Sequence, residues 1–113
     1  MQRQFFSLQS TGGAQEASWE PPIDVLETEQ EILILVALPG VDPDQVEAVI
    51  EENGTLVVSG RRVLPAELRN AVIHRLELPQ GRFERRIALP AGRYAVSRFA
   101  VNGCIALRLA KSV

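Results

Sequence analysis

Val46-Glu47-Ala48-Val49-Ile50-Glu51-Glu52-Asn53-Gly54-Thr55-Leu56-Val57-Val58-Ser59-Gly60 decides the fold class. Its side chains repeat with period two, which is the period of a strand and not of a helix. Val46, Ala48 and Ile50 share one face of the first run, Val46–Glu52. Asn53-Gly54 then separates it from Thr55–Gly60. An Asn-Gly pair between alternating runs is the strongest short-range signal of a hairpin, and it predicts φ > 0 at both turn residues. A second pair, Asn102-Gly103, joins Ser97–Val101 to Cys104–Ala110, where Ile105, Leu107 and Leu109 point inward and Arg108 outward.

The same period extends in both directions. Ile23–Glu27 is predicted as a short strand and Glu31–Leu38 as a longer one. In the longer strand Ile32, Ile34, Val36 and Leu38 face one way, and Leu33, Leu35 and Ala37 the other. Apolar residues on both faces predict a strand covered on both sides. Pro39-Gly40 ends it, and Asp42-Pro43-Asp44 begins a turn. Val72–Leu78 and Arg82–Leu89 are two further strands, the latter with Phe83, Arg85, Ile87 and Leu89 on one face. Pro65–Asn70 is expected to be a loop, its proline and shortness outweighing some helical propensity. About eight short strands divided by turn signals predict an all-β sandwich.

Residues 1–20 form an expected flexible N-terminal arm, with an apolar patch at Phe5, Phe6 and Leu8 before a Gly-, Ser- and Thr-rich stretch. Pro21-Pro22 marks the start of one domain, 21–111, and residues 112–113 are a short tail. The 113 residues carry a net charge of −2, which gives no basic surface for nucleic acid. No run approaches a membrane span, and no secretory signal opens the chain, so a cytoplasmic protein with no membrane partner is expected.

Catalytic and metal chemistry find no constellation. His74 is the single histidine and Cys104 the single cysteine, too few for a zinc site or a hydrolytic triad. Lys111-Ser112 lacks the preceding glycines of a phosphate loop. Glu51 and Glu52 are neighbours on a strand and point to opposite faces. Asn53-Gly54-Thr55 matches a glycosylation acceptor but is here a turn, and Cys104 is expected to be inert packing. The expectation is a protein that is no enzyme and uses no cofactor or metal.

Several blocks together resemble the α-crystallin domain of the small heat-shock proteins, bacterial and plant type. Ile23-Asp24-Val25-Leu26-Glu27-Thr28 and Val36-Ala37-Leu38-Pro39-Gly40-Val41 look like its opening. Leu56-Val57-Val58-Ser59-Gly60-Arg61-Arg62 is similar to its "L-x-I-x-G-x-R" strand, and Gly81–Pro90 to its "G-x-F-x-R-x-x-x-L-P" segment. Asn102-Gly103-Cys104-Ile105 stands where the family has "N-G-V-L", and Leu109-Ala110-Lys111 where it often has "L-P-K". The blocks come in family order and cover residues 20–111.

The resemblance implies an immunoglobulin-like β-sandwich and an ATP-independent holdase that keeps unfolding client proteins from aggregating. It also implies a homodimer in which Val72–Leu78 crosses to the partner subunit. Dimer-interface candidates are then Val72, His74, Leu76, Leu78 and Arg85, the last falling on the family's dimer-associated arginine. Client-binding candidates are Phe5, Phe6 and Leu8, with Val46, Ala48, Ile50, Phe99 and Val101 in a groove between the strands Val46–Ile50 and Ser97–Val101. The sequence departs from the family where Arg98 replaces an alanine, where Cys104 replaces a valine, and at Val113, after which no Ile-x-Ile anchor follows. From that last departure the expectation is a dimer and no large cage. A co-chaperone-like sandwich that docks one folded partner is the competing reading.

Overall fold

The computed structural model describes residues 6–7, 18–68 and 70–112. Its strands are β1 (Phe6–Ser7), β2 (Ser18–Trp19), β3 (Ile23–Glu27), β4 (Glu31–Ala37), β5 (Glu47–Ile50), β6 (Thr55–Arg62), β7 (Gly81–Ala88), β8 (Tyr94–Val101) and β9 (Cys104–Lys111). They form two sheets, one of five strands in the order β1-β2-β7-β6-β5 and one of four in the order β3-β4-β9-β8. The fold is the all-β sandwich that the alternation predicts.

Alternation builds the core. Ile32, Ile34 and Val36 of β4 and Ile105, Leu107 and Leu109 of β9 face Leu56 and Val58 of β6 and Phe83 and Ile87 of β7. None of these is more than 8% exposed. Each such side chain contributes about 1.5–3 kcal/mol when fully buried. The charged residues on the outer faces are paired. Arg108 Nε lies 3.0 Å from Glu31 Oε1, Lys111 Nζ 2.7 Å from Glu27 Oε2, and Arg86 bonds Glu51.

Gly60 and Arg62 show why the β6 block has its residues. A Cβ on Gly60 would sit 2.7 Å from Phe83 Cζ and 2.8 Å from the Gln45 carbonyl oxygen, so only glycine admits the ring and the turn. Arg62 donates from Nε to the Pro39 carbonyl at 2.7 Å and from Nη1 to the Pro79 carbonyl at 3.4 Å. One side chain thus clasps the turn after β4 to the segment before β7.

Some expectations change. Trp19, placed in the arm on composition, is 2% exposed and packs in a tilted arrangement on Phe83, ring centres 5.5 Å apart, where β2 pairs with β7 in parallel. β2 therefore packs with the sandwich, because the Trp19 ring is part of its buried core. The first hairpin has a longer loop and a different turn type. Glu51 N–H donates to the Thr55 carbonyl, Gly54 N–H to the Glu51 carbonyl, and among Asn53 and Gly54 only Gly54 has positive φ, at 88°. Asn53 instead accepts the Thr55 N–H on Oδ1, and β5 ends at Ile50. At the second hairpin both Asn102 (46°) and Gly103 (79°) have positive φ, as expected. The second face of β4 is only half covered, with Leu33 and Leu35 half-buried. Ala66–Leu68, expected as loop, makes one 3-10 turn, as does Pro43–Gln45.

Candidate functional site

Val72–Leu78, expected to be a strand, belongs to neither sheet of this single chain. The segment leaves the 3-10 turn at Leu68, whose carbonyl accepts the Ala71 N–H at 3.1 Å, and returns at Pro79, held by Arg62. Between them Val72 is 81% exposed, Ile73 56%, Leu76 50% and Leu78 51%. His74 is exposed as well, and Arg75 pairs only with the equally exposed Glu77, at 3.4 Å. Four large apolar residues on an unpaired segment are the largest departure from burial among the described residues.

Arg85 is half-buried on the inner face of β7, between Phe83 and Ile87 as the sequence implies. Its Nη1 donates to the Pro21 carbonyl at 3.2 Å. The arginine therefore ties β7 to the Pro21-Pro22 segment, and its exposed remainder is the part that can reach another molecule.

A second surface lies where the open edge of one sheet meets the open edge of the other. β5 pairs only with β6, and β8 only with β9. The turn at Asn102-Gly103 sets β8 against β9 so that Val96 opposes Leu109, Arg98 opposes Leu107 and Ala100 opposes Ile105. Residues directly opposite share a face, so Val96, Arg98 and Ala100 point toward the interior side. Here Ala48, Val96, Ser97, Arg98 and Leu107 line a notch of about 110 Å³.

The proposed groove residues divide. Ala48 lines the notch and Ile50 is half-buried on the same face, whereas Val46 is 1% exposed and belongs to the core. Phe99 falls on the opposite face of β8, where the Arg108 guanidinium lies 5.1 Å from its ring centre. Val101 sits at the hairpin end, beside Leu38 and Val41 in a separate depression. Val96 and Arg98 were missed, although the register that places them follows from the Asn102-Gly103 turn and the inward Leu107. Phe6 contributes backbone to β1 at the outer edge of β2, while Phe5 and Leu8 lie outside the described residues.

Among the described residues no group of three or more His, Cys, Asp and Glu is arranged to hold a metal. No helix among them is long and apolar enough to cross a membrane. Cys104 is half-buried, beside Leu35 and Ala37 on the outer face of the four-stranded sheet.

Residues 24–112 match the family described as the Hsp20/alpha crystallin family. The chain is 38% identical over 82 residues to the 16.9 kDa class I heat shock protein 1 of Triticum aestivum, an alignment covering 71% of this chain and 54% of that protein. It is 34% identical over 91 residues to the 22.0 kDa heat shock protein of Arabidopsis thaliana, covering 79% and 47%. The chain thus spans about half the length of the curated relatives it matches. Among solved structures it is similar to the hspA of Xanthomonas axonopodis, with a TM-score of 0.70 and 30% identity over 84% of this chain and 96% of that one.

Proposed function

The chain belongs to the Hsp20/alpha crystallin family, and on that premise we propose that it is an ATP-independent holdase, binding exposed apolar segments of unfolding proteins. The observation that carries this reading is the apolar surface left uncovered outside a well-closed core. Val72, Ile73, Leu76 and Leu78 stand out from the sandwich, and the notch between β5 and β8 opens beside Val96. Capture of a client would bury such surface at about 25 cal/mol per Å² before ordering costs. That free energy needs no nucleotide, and the family is one of heat-shock proteins and not of enzymes.

Val72–Leu78 has a second role in this reading. An extended apolar segment with unpaired backbone is a template for pairing with another chain. Exchange of Val72–Leu78 between two copies satisfies that backbone within a closed two-fold homodimer. Val72, His74, Leu76 and Leu78 would be interface residues, with Arg85 reaching across beside them. Guanidinium suits such a position because it ion-pairs at interfaces with little loss of order.

Light scattering from a heat-aggregating client tests the holdase reading. Suppression at equimolar protein is expected, and none at equimolar or above refutes it. A single stoichiometric partner without general suppression would favour the co-chaperone-like alternative. Light scattering coupled to size exclusion, on the chain and on Leu76→Asp, tests the exchange. The native chain is expected at the mass of a dimer or a multiple of it, and the variant as a monomer.

A further inference from the structure

We propose that Arg98 makes the notch between β5 and β8 select extended client segments in which an Asp or Glu lies next to the inserted apolar side chain. The proposal rests on the holdase reading and deepens it, since it names what the notch recognises. Arg98 stands directly opposite Leu107, which is fully buried, so the guanidinium stem lies on the face that elsewhere along the sheet is core. Nothing in the five-stranded sheet roofs it, because that sheet ends at β5. Val96, its neighbour on the same face, is consequently 39% exposed.

Several other arginines around the sandwich are occupied. Arg62 and Arg85 bond carbonyls, and Arg86 and Arg108 pair with glutamates. Arg98 has no hydrogen-bond or ion-pair partner among the described residues, and no carboxylate lines the notch with it. The notch itself, at about 110 Å³, is smaller than the ~150 Å³ cavity that holds a benzene ring, so it takes one aliphatic side chain. β8 also offers an unpaired edge along which an extended segment can align by backbone hydrogen bonds. An occupant seated in this way places a neighbouring side chain over Arg98. A carboxylate there matches the guanidinium fork in charge and geometry, whereas a lysine there is repelled.

The test uses the full chain and three fluorescently labelled extended peptides, identical except for Glu, Gln or Lys beside a central Leu. Binding is followed by anisotropy for the native chain, Arg98→Ala and Arg98→Glu, with client aggregation measured in parallel. The Glu peptide is expected to bind the native chain about 2–5-fold more tightly than the Gln peptide, the range of an exposed ion pair. The preference is expected to shrink in high salt, to vanish in Arg98→Ala and to reverse toward Lys in Arg98→Glu. Equal affinities for the three peptides overturn the proposal, whatever the client assay shows. A peptide preference without any client suppression sustains the Arg98 assignment and overturns the holdase reading instead. A change in assembly mass in Arg98→Glu without any peptide preference identifies a second copy as the occupant, and also overturns the proposal.

Discussion

Gly60→Ala is the sharpest probe of how the five-stranded sheet packs around Phe83. The added methyl would sit 2.7 Å from Phe83 Cζ and 2.8 Å from the Gln45 carbonyl oxygen, about 1 Å inside the ~3.5–4.0 Å optimum for carbon contacts. Neither neighbour yields cheaply. Phe83 is completely buried and packed against Trp19, and the Gln45 carbonyl is backbone in the 3-10 turn. Overpacking of this kind costs about 1–3 kcal/mol, and replacing a strand glycine returns about 0.5–1 kcal/mol. A net loss of about 1–2 kcal/mol corresponds to a fall in Tm of roughly 4–16 °C for a domain of this size. Thermal melts must be run at one protomer concentration, because association raises apparent stability. In the double variant Gly60→Ala, Phe83→Leu the smaller side chain frees the space of Cζ, so the combined loss is expected to fall at least ~0.5 kcal/mol short of the sum. A Tm for Gly60→Ala within 1 °C of the native value, or strict additivity in the cycle, would refute the close approach as the reason for the glycine.

Arg62→Ala removes the bonds to the Pro39 and Pro79 carbonyls; a loss of about 1–3 kcal/mol is expected in denaturant melts, with faster proteolysis between residues 63 and 80. Trp19→Ala is expected to cost about 3–5 kcal/mol as a core truncation. Deleting residues 1–17, which leaves Trp19 in place, should move Tm by a few degrees at most while weakening client capture, and a Tm loss as large as that of Trp19→Ala would refute the functional assignment of Phe5, Phe6 and Leu8. Arg85→Ala is expected to shift a dilution series toward monomer more than it lowers Tm, since inside one chain it gives up the single bond to the Pro21 carbonyl; sedimentation showing an unaltered dimer would remove Arg85 from the interface.

Strand positions were legible wherever both partners lie in one chain and one face is buried. The alternation in Glu31–Ala37 and Cys104–Lys111 fixed which residues enter the core, because slipping the register by one residue would expose all of Ile105, Leu107 and Leu109. Trp19 was not legible, since its burial depends on Phe83, sixty-four positions away in sequence, and the polar residues around it carry no period. Val72–Leu78 has the composition of a strand, but composition cannot say whether a partner edge exists within the same chain. The notch was legible only in outline. Choosing Phe99 followed apolarity, whereas pairing outward from Asn102-Gly103 places Arg98 opposite Leu107 and turns Phe99 to the other face.

Stability and the proposed binding surface are carried by different parts of the chain. β4, β9, β6 and β7 each have a neighbour on both sides, and they supply nearly all of the fully buried aliphatic residues. β8 has one neighbour, and of its residues only Tyr94 and Val101 are less than exposed. Val72–Leu78 has none among the described residues. A protein that meets varied apolar segments needs apolar surface in water, which in a core strand would mean an incomplete core. Here that surface sits on an edge strand and on a segment clasped at its end by Arg62. On the proposed holdase reading, substitutions at Val96, Arg98 or Leu76 are therefore expected to retune what is bound at small cost to the fold, while the glycine at position 60 and the ring at position 83 cannot change independently of one another.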